Sequence, residues 1–299
     1  MKQKYSVCIS NYNMETTLEE SLTSILEQLD DRFEVFVVDD GSSDRSVHIL
    51  EDLSSKYKQL RYHCLDRDPE RRLGLTRNIS IEKANGEYVL LHVDTDDLWE
   101  PFIMDAVEVF HKLESCVGRD FYLSAQQLHI GKRSFLLKHG PFRNIYHAED
   151  RDMWFRFAAN NDILYLKHKV FRKRMVLPRK VQHLKTVNVA WNHMQYELWS
   201  SPPKKRLSYI YQVLSQVVRP INDFSVPFRL LRAIMLPGVI LFTKSDITPV
   251  NITPSEYKKY REKNSGTYSE LMKSYGGDPS LLFLSEKAQK IFSSNGKIV

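Results

Sequence analysis

LLHVDTDDLWEP, Leu90–Pro101, runs an apolar segment straight into Asp94, Asp96 and Asp97. Three carboxylates so close together repel one another, so the cluster needs a compensating partner or a solvated setting. Two readings stand at this point. In one, the acids form a solvated turn, with Asp97 capping a helix that Pro101 helps to start. In the other, a divalent ion neutralises them, since Mg²⁺ and Mn²⁺ prefer hard carboxylate oxygens and keep room for substrate phosphates.

Working outward, the same grammar repeats. Tyr5–Ile9 reads as a buried strand interrupted by Ser10, Asn11, Tyr12 and Asn13. Leu18, Leu22, Ile25, Leu26 and Leu29 then fall on one helical face. Phe33–Val38 is a second strand, ending at Asp39, Asp40, Gly41, Ser42 and Ser43, before a helix through Val47 and Leu53. Leu60–Leu65 is a weaker strand, Thr76–Ala84 a helix, and Tyr88–Val93 a strand; Phe102–Phe110 gives another helix. Such alternation predicts an α/β fold with a mostly parallel sheet flanked by helices on both faces. The polar loops after the first, second and fourth strands then share the carboxyl edge of the sheet, where ligands of such folds bind.

The bulk properties narrow the class. The 299 residues suffice for a full core, and 42% hydrophobic with 27% charged residues is ordinary for a globular chain. Cys8, Cys64 and Cys116 form neither a zinc pattern nor a disulfide framework, which suits a reducing, cytoplasmic compartment. No secretory leader is expected, because Met1–Lys4 leads into only a short apolar run. A net charge of +6 suits phosphate-bearing partners or anionic lipid, and equally an ordinary surface. The first strand lacks the GxGxxG of a dinucleotide site. No aromatic-interleaved or zinc module supports nucleic-acid binding.

Texture changes near residue 190, so a catalytic domain over 1–190 and a mainly helical C-terminal region over 191–299 are expected. Val226–Phe242 is strongly apolar but too short to span a bilayer comfortably. It reads either as a helix packed on the sheet domain or as an interfacial helix whose Arg229 and Arg232 snorkel, with peripheral contact on the inner face of the cell membrane. Beyond Pro254, short helices split by Gly276 and Gly277 are expected. Lys167–Lys185 holds eight Lys or Arg residues and no acid, which suits a solvated face, a lid over a diphosphate, or a lipid-phosphate contact. His92 inside its strand reads as packing, and His168 as a surface or core-edge residue.

Taken in order, ISNYN (Ile9–Asn13), VVDDGSSD (Val37–Asp44), GLTRN (Gly74–Asn78), NGEYVLLHVDTDD (Asn85–Asp97) and HAEDRDMWFRFA (His147–Ala158) resemble family 2 glycosyltransferases of GT-A fold, with Ser10 where proline is common. The resemblance covers roughly residues 5 to 175. It implies that Asn11, Tyr12 and Asn13 line a nucleotide pocket, that Asp40 binds the base, and that Asp39 supports it. Arg77 and Asn78 match the pair near the nucleotide-sugar. Asp94 would contact ribose or metal, Asp96 would be the principal ligand of Mn²⁺ or Mg²⁺, and Thr95 and Asp97 would support the sugar or its loop. Asp150 falls at the catalytic-base position, with Glu149 its alternative or support and Asp152 at the helix start. His183 is a candidate metal or diphosphate contact.

These roles make a coherent transfer. A divalent ion stabilises a leaving diphosphate, a carboxylate takes the acceptor proton, and the pocket aligns the two. A base opposite the leaving group implies inversion. Retaining glycoside hydrolysis would instead want two carboxylates facing each other across the scissile bond. The expectation is therefore a metal-dependent inverting glycosyltransferase moving a sugar from a nucleoside diphosphate, UDP preferred, to a glycan, polysaccharide or polyprenyl-linked acceptor of the cell envelope. A nucleotidyltransferase would bring a Gly- and Lys-rich phosphate loop that ISNYNMETT lacks. A non-catalytic nucleotide- or sugar-binding scaffold is the other alternative.

Overall fold

The structure is a computed structural model of the chain. It describes residues 4–126, 128–140, 142–145, 148–175, 182–218, 225–242, 248–281 and 284–293, without the side chains of 182–186 and 281. The strands are β1 (Tyr5–Asn11), β2 (Phe33–Asp39), β3 (Leu60–Cys64), β4 (Tyr88–Leu91), β5 (Asp97–Trp99), β6 (Tyr122–Ala125), β7 (Leu128–Lys132), β8 (Ile163–Leu166), β9 (Arg172–Arg174) and β10 (Ser265–Gly266). The helices are α1 (Leu18–Leu26), α2 (Ser46–Lys56), α3 (Leu73–Lys83), α4 (Ile103–Val117), α5 (Arg133–Lys138), α6 (Glu149–Ala159), α7 (Gln182–Ser200), α8 (Arg206–Val218), α9 (Val226–Phe242), α10 (Pro254–Lys263), α11 (Tyr268–Ser274) and α12 (Glu286–Phe292).

Contacts divide the chain into two compact units. The first comprises residues up to Asn144, Asp162–Val176 and the chain from Lys263 onward; the second comprises Ile145–Asn161 and Leu177–Glu262. The first carries a sheet of order β10-β8-β6-β7-β4-β1-β2-β3, with β5 and β9 paired separately. β1 pairs in parallel with β2 and β4, and β2 with β3; in this eight-stranded sheet β7 runs antiparallel, between β4 and β6. Every residue of β2 is buried, as expected for a parallel strand covered on both faces. The α1 stripe of Leu18, Leu22, Ile25 and Leu26 covers one face. Two polar groups within this core are satisfied: Glu34 accepts from Ser6 Oγ at 2.6 Å and from the Asn85 amide at 2.6 Å. Burial pushes that carboxyl up, but these bonds and Arg61 hold it below the usual range.

Several expectations need correction. β1 does not stop at Ile9 but continues through Asn11, in register with Asp39. β4 ends at Leu91, because His92 takes a positive φ of 62°. Asp97 caps no helix: it opens β5, while α4 begins at Ile103. His168 is buried, with ring nitrogens 3.0 Å from the Ala125 carbonyl and 2.7 Å from that of Lys169.

The division expected at residue 190 also differs from the units observed. The chain beyond Lys263 returns to the first unit: β10 extends the sheet beside β8, and Tyr268, Leu271, Ala288 and Phe292 join the main core. In the second unit, α9 packs on α7 and α8 through Leu236 and Val239. Arg232 does not snorkel. It is buried, donating to Glu197 at 2.8 Å, and Tyr209 shares that carboxylate at 3.0 Å. Among the described residues no helix is long and apolar enough to cross a membrane.

Candidate active site

Three strand ends are tied together at one edge of the first unit. Asn11, the last residue of β1, donates from Nδ2 to Asp39 at 2.7 Å, and its side-chain Oδ1 accepts from the Thr95 hydroxyl at 3.4 Å. Asp39 is buried and also accepts from the Ser42 amide at 2.8 Å and the Ser42 hydroxyl at 2.6 Å. Asn13, with φ of 51°, accepts from the Ser43 amide and donates its own amide to Ser42 Oγ. Gly41 is required here: its φ is +73°, and a Cβ would lie 2.6 Å from the Arg67 amide nitrogen. Asn11, Asn13 and Asp39 thus build the rim.

Asp40 points elsewhere. Its carboxylate accepts from Arg71 at 2.6 Å and Arg67 at 3.0 Å, and the Arg67 guanidinium lies 4.6 Å over the exposed Tyr12 ring. Tyr12, Arg67 and Asp40 form a partly open, charged and aromatic corner suited to a flat polar ring. Arg77 lies on α3, 5.3 Å over the Phe142 ring. Asn78 uses both amide ends on the backbone of Phe142, at 2.8 Å each way, and so holds that segment against α3.

The acids that follow β4 converge. One carboxylate oxygen each from Asp94, Asp96 and Asp97 lie within 4.8 Å of one another, the one such trio among the described residues. Their side chains grade from solvent to core, at 46%, 13% and 0% exposure. Burial pushes the Asp96 carboxyl above its usual range; Arg174 opposes the shift, and Asp94 and Asp97 add to it.

A cation already stands at the convergence. The Arg174 guanidinium reaches Asp94 at 3.3 Å, Asp96 at 3.3 Å and Asp97 at 3.2 Å. Arg172 pairs with Asp97 as well. Both come from β9, which runs antiparallel to β5 and sets Arg174 opposite Asp97; the Met175 amide donates to the Asp96 carbonyl at 2.8 Å. Oxygen donors that gather a guanidinium offer the charge and ligand type for a divalent ion, so the trio fits Mg²⁺ or Mn²⁺.

The basic run from Lys167 is therefore neither wholly solvated nor uniform. Sequence reading singled out the run but not Arg172 or Arg174 within it; the clue was Phe171-Arg-Lys-Arg, short and extended enough to pair with Asp97-Leu-Trp. The His183 side chain lies outside the described residues. His92 packs edge-on against His129 at 4.2 Å between ring centres, in keeping with a packing role.

Asp150 and Glu149 belong to the second unit. Both sit with Asp152 in the first turn of α6, where the helix dipole favours carboxylates. Glu149 and Asp152 are buried, Asp152 accepting from Arg156 at 2.7 Å, while Asp150 is half-buried between them. Arg151 turns toward Glu197 at 2.6 Å.

Comparison with known proteins bears on family and fold. A family model described as glycosyl transferase family 2 matches residues 6–164. An uncharacterized glycosyltransferase of Nostoc is 31% identical over 127 residues, covering 39% of this chain and 38% of that protein. The poly(ribitol-phosphate) β-N-acetylglucosaminyltransferase TarS of Staphylococcus aureus is 38% identical over 96 residues, 31% of this chain and 16% of that one. This chain spans well under half the length of the curated relatives it matches. Among solved structures, TarS 1–349 in complex with UDP-GlcNAc superposes with a TM-score of 0.52 at 19% identity, covering 82% of this chain and 74% of that one. The mannosyltransferase PcManGT of Pyrobaculum calidifontis, with GDP-Man and Mn²⁺, gives 0.51 at 17% identity, covering 92% and 86%. Such distant likenesses show a shared fold.

Proposed function

This chain belongs to glycosyl transferase family 2 and has the GT-A fold, and on that footing we propose that it transfers a sugar, with inversion, from a nucleoside-diphosphate donor to a hydroxyl of a glycan, polysaccharide or lipid-linked acceptor. The observation that carries the reading is the convergence of Asp94, Asp96 and Asp97 on one cationic group at the carboxyl edge of the sheet. UDP is the preferred donor nucleotide, by analogy with the TarS complex, and GDP the next, by analogy with PcManGT.

Each residue has a distinct task in this proposal. Asp96 and Asp94 would hold Mn²⁺ or Mg²⁺, which supplies charge neutralisation for the departing diphosphate. Asp97, fixed by Arg172, positions the loop that carries them. Asn11 and Asp39 keep the rim rigid, so the ligands need little reorganisation. The Tyr12–Arg67–Asp40 corner receives the base, and Arg77 lies with Asn78 toward the sugar end. Arg174 balances negative charge before the donor arrives and is placed to follow the diphosphate. Asp150 takes the proton of the acceptor hydroxyl, its position at a helix N-terminus favouring the anion a base requires; Glu149 supports it. The assignment of residues 1–190 to catalysis and of 191–299 to acceptor or membrane contact is proposed with it, except that the chain from Lys263 serves the first unit's core.

The test is release of nucleoside diphosphate from a panel of UDP- and GDP-sugars with mixed glycan and polyprenyl-phosphate acceptors. Turnover with one donor, lost in Asp150→Asn with donor affinity kept, supports the proposal. Full turnover in Asp150→Asn would remove the base assignment, and no turnover with any donor would favour a binding scaffold.

A further inference from the structure

The second unit turns an apolar face to solvent. On α8, Leu207, Tyr211, Leu214 and Val218 are all exposed, spaced by four, three and four residues, which puts them on one stripe. On α9 every exposed residue from Val226 to Phe242 is apolar, with Ile234 76% and Phe242 81% exposed. The charged Arg232 instead points inward to Glu197. α8 and α9 are contact neighbours within the unit, so the two stripes belong to one helical hairpin. A water-facing stripe on each of two adjacent helices is more than scattered surface leucines, and marks a face that something else covers.

Charge decides what covers it. Among the described residues between Pro203 and Phe242, Lys204, Lys205, Arg206 and Arg229 keep solvent exposure and no acid stands among them, Lys205 pairing with Glu256 beyond the segment; Arg232, buried on Glu197, adds nothing to this surface charge. A second copy of the chain would bring these like charges together. An anionic lipid surface would instead attract them while accepting the apolar stripes. The helices are too short to cross a bilayer: α9, with 17 residues, is about 25 Å long against a hydrocarbon core of about 30 Å.

We propose that the α8–α9 hairpin is a membrane-docking face that lies flat on an anionic lipid surface through its exposed apolar stripes. Binding there does not depend on donor turnover, so it is tested separately from the transferase reading.

The experiment is flotation of the full chain with vesicles of phosphatidylcholine alone or with about one-third phosphatidylglycerol. The wild type is expected to float with the anionic vesicles, less so as salt rises. Ile234→Glu combined with Phe242→Glu, and separately Leu207→Glu combined with Tyr211→Glu, are each expected to lose about tenfold or more in apparent affinity while keeping the wild-type circular dichroism melt. The two pairs lie on different helices, so misfolding of one leaves the other to decide. The proposal is overturned by failure to float with anionic vesicles, by equal flotation with phosphatidylcholine alone, or by folded variants that still float. It is overturned equally if sedimentation shows a dimer that either variant pair dissociates, since a second copy then covers the face.

Discussion

The Arg174 guanidinium lies 3.3 Å from the Asp96 carboxylate, and the same group reaches Asp94 and Asp97. One side chain thus occupies the point at which three acids converge. A half-exposed ion pair of this kind contributes up to about 1 kcal/mol, so it restrains the acids without locking them.

That contact predicts competition. Arg174→Ala should bind Mn²⁺ in the absence of nucleotide roughly fivefold more tightly than the wild type, about 1 kcal/mol. Electron paramagnetic resonance of free Mn²⁺ measures this directly. Unchanged or weaker binding would mean that the guanidinium does not contend with a metal for these oxygens.

Asp39 and Asp40 are neighbours with opposite consequences. Asp39→Ala removes a buried carboxylate that Asn11 and Ser42 both address, and should cost about 3 kcal/mol in urea unfolding. Asp40→Asn should cost only about 1 kcal/mol, because Arg67 is half-exposed and the amide oxygen still accepts from Arg71. It should weaken nucleotide binding instead. Equal stability losses would erase the distinction between anchor and ligand.

The second unit has its own electrostatic anchor. Burial pushes the Glu197 carboxyl up, but Arg151 and Arg232 outweigh it and hold the carboxyl below the ordinary 4.5. A depressed folded-state value means that the stabilisation is fully present above 4.5 and is lost as pH falls through the folded value. Melts of the wild type should therefore fall below pH 4.5. Glu197→Gln should lose about 3–5 kcal/mol at neutral pH, since Arg232 is left buried without its charge partner. A variant as stable as the wild type at pH 7 would contradict this.

The chain beyond Lys263 should behave as core. Phe292 is fully buried beside Phe171 and His168, and Phe292→Ala should cost about 3–5 kcal/mol in urea unfolding. A loss below about 1 kcal/mol would return that segment to the status of an appendage.

The first half of the fold was legible because its helices keep their apolar stripes and its parallel strands are continuous apolar runs, as in Leu18–Leu26 and Phe33–Val38. That Asn11, Asp39 and the acids after β4 share one edge of the sheet followed from those strands by topology alone. What misled was local. Asn11 looked like a loop-former, yet its backbone pairs with β2 and its side chain with Asp39. Asp97 looked like a cap, yet Arg172 and Arg174 draw it into a two-strand ladder. Those arginines come from a distant segment, and no spacing rule in one sequence connects Arg174 to Asp97. The return of β10 and Phe292 to the first unit was hidden for the same reason. Arg232 in an apolar helix suggested snorkelling because its partner Glu197 lies a whole helix away.

The measurement that tests the central claim most directly is calorimetric titration of the wild type and Asp96→Asn with UDP, GDP, CMP and dTDP, each with Mn²⁺ and then with EDTA. The account predicts that one nucleotide binds the wild type with Mn²⁺, that EDTA removes the binding, and that Asp96→Asn does not bind it under either condition. Nucleotide binding of equal strength in the wild type and Asp96→Asn, indifferent to EDTA, would contradict it.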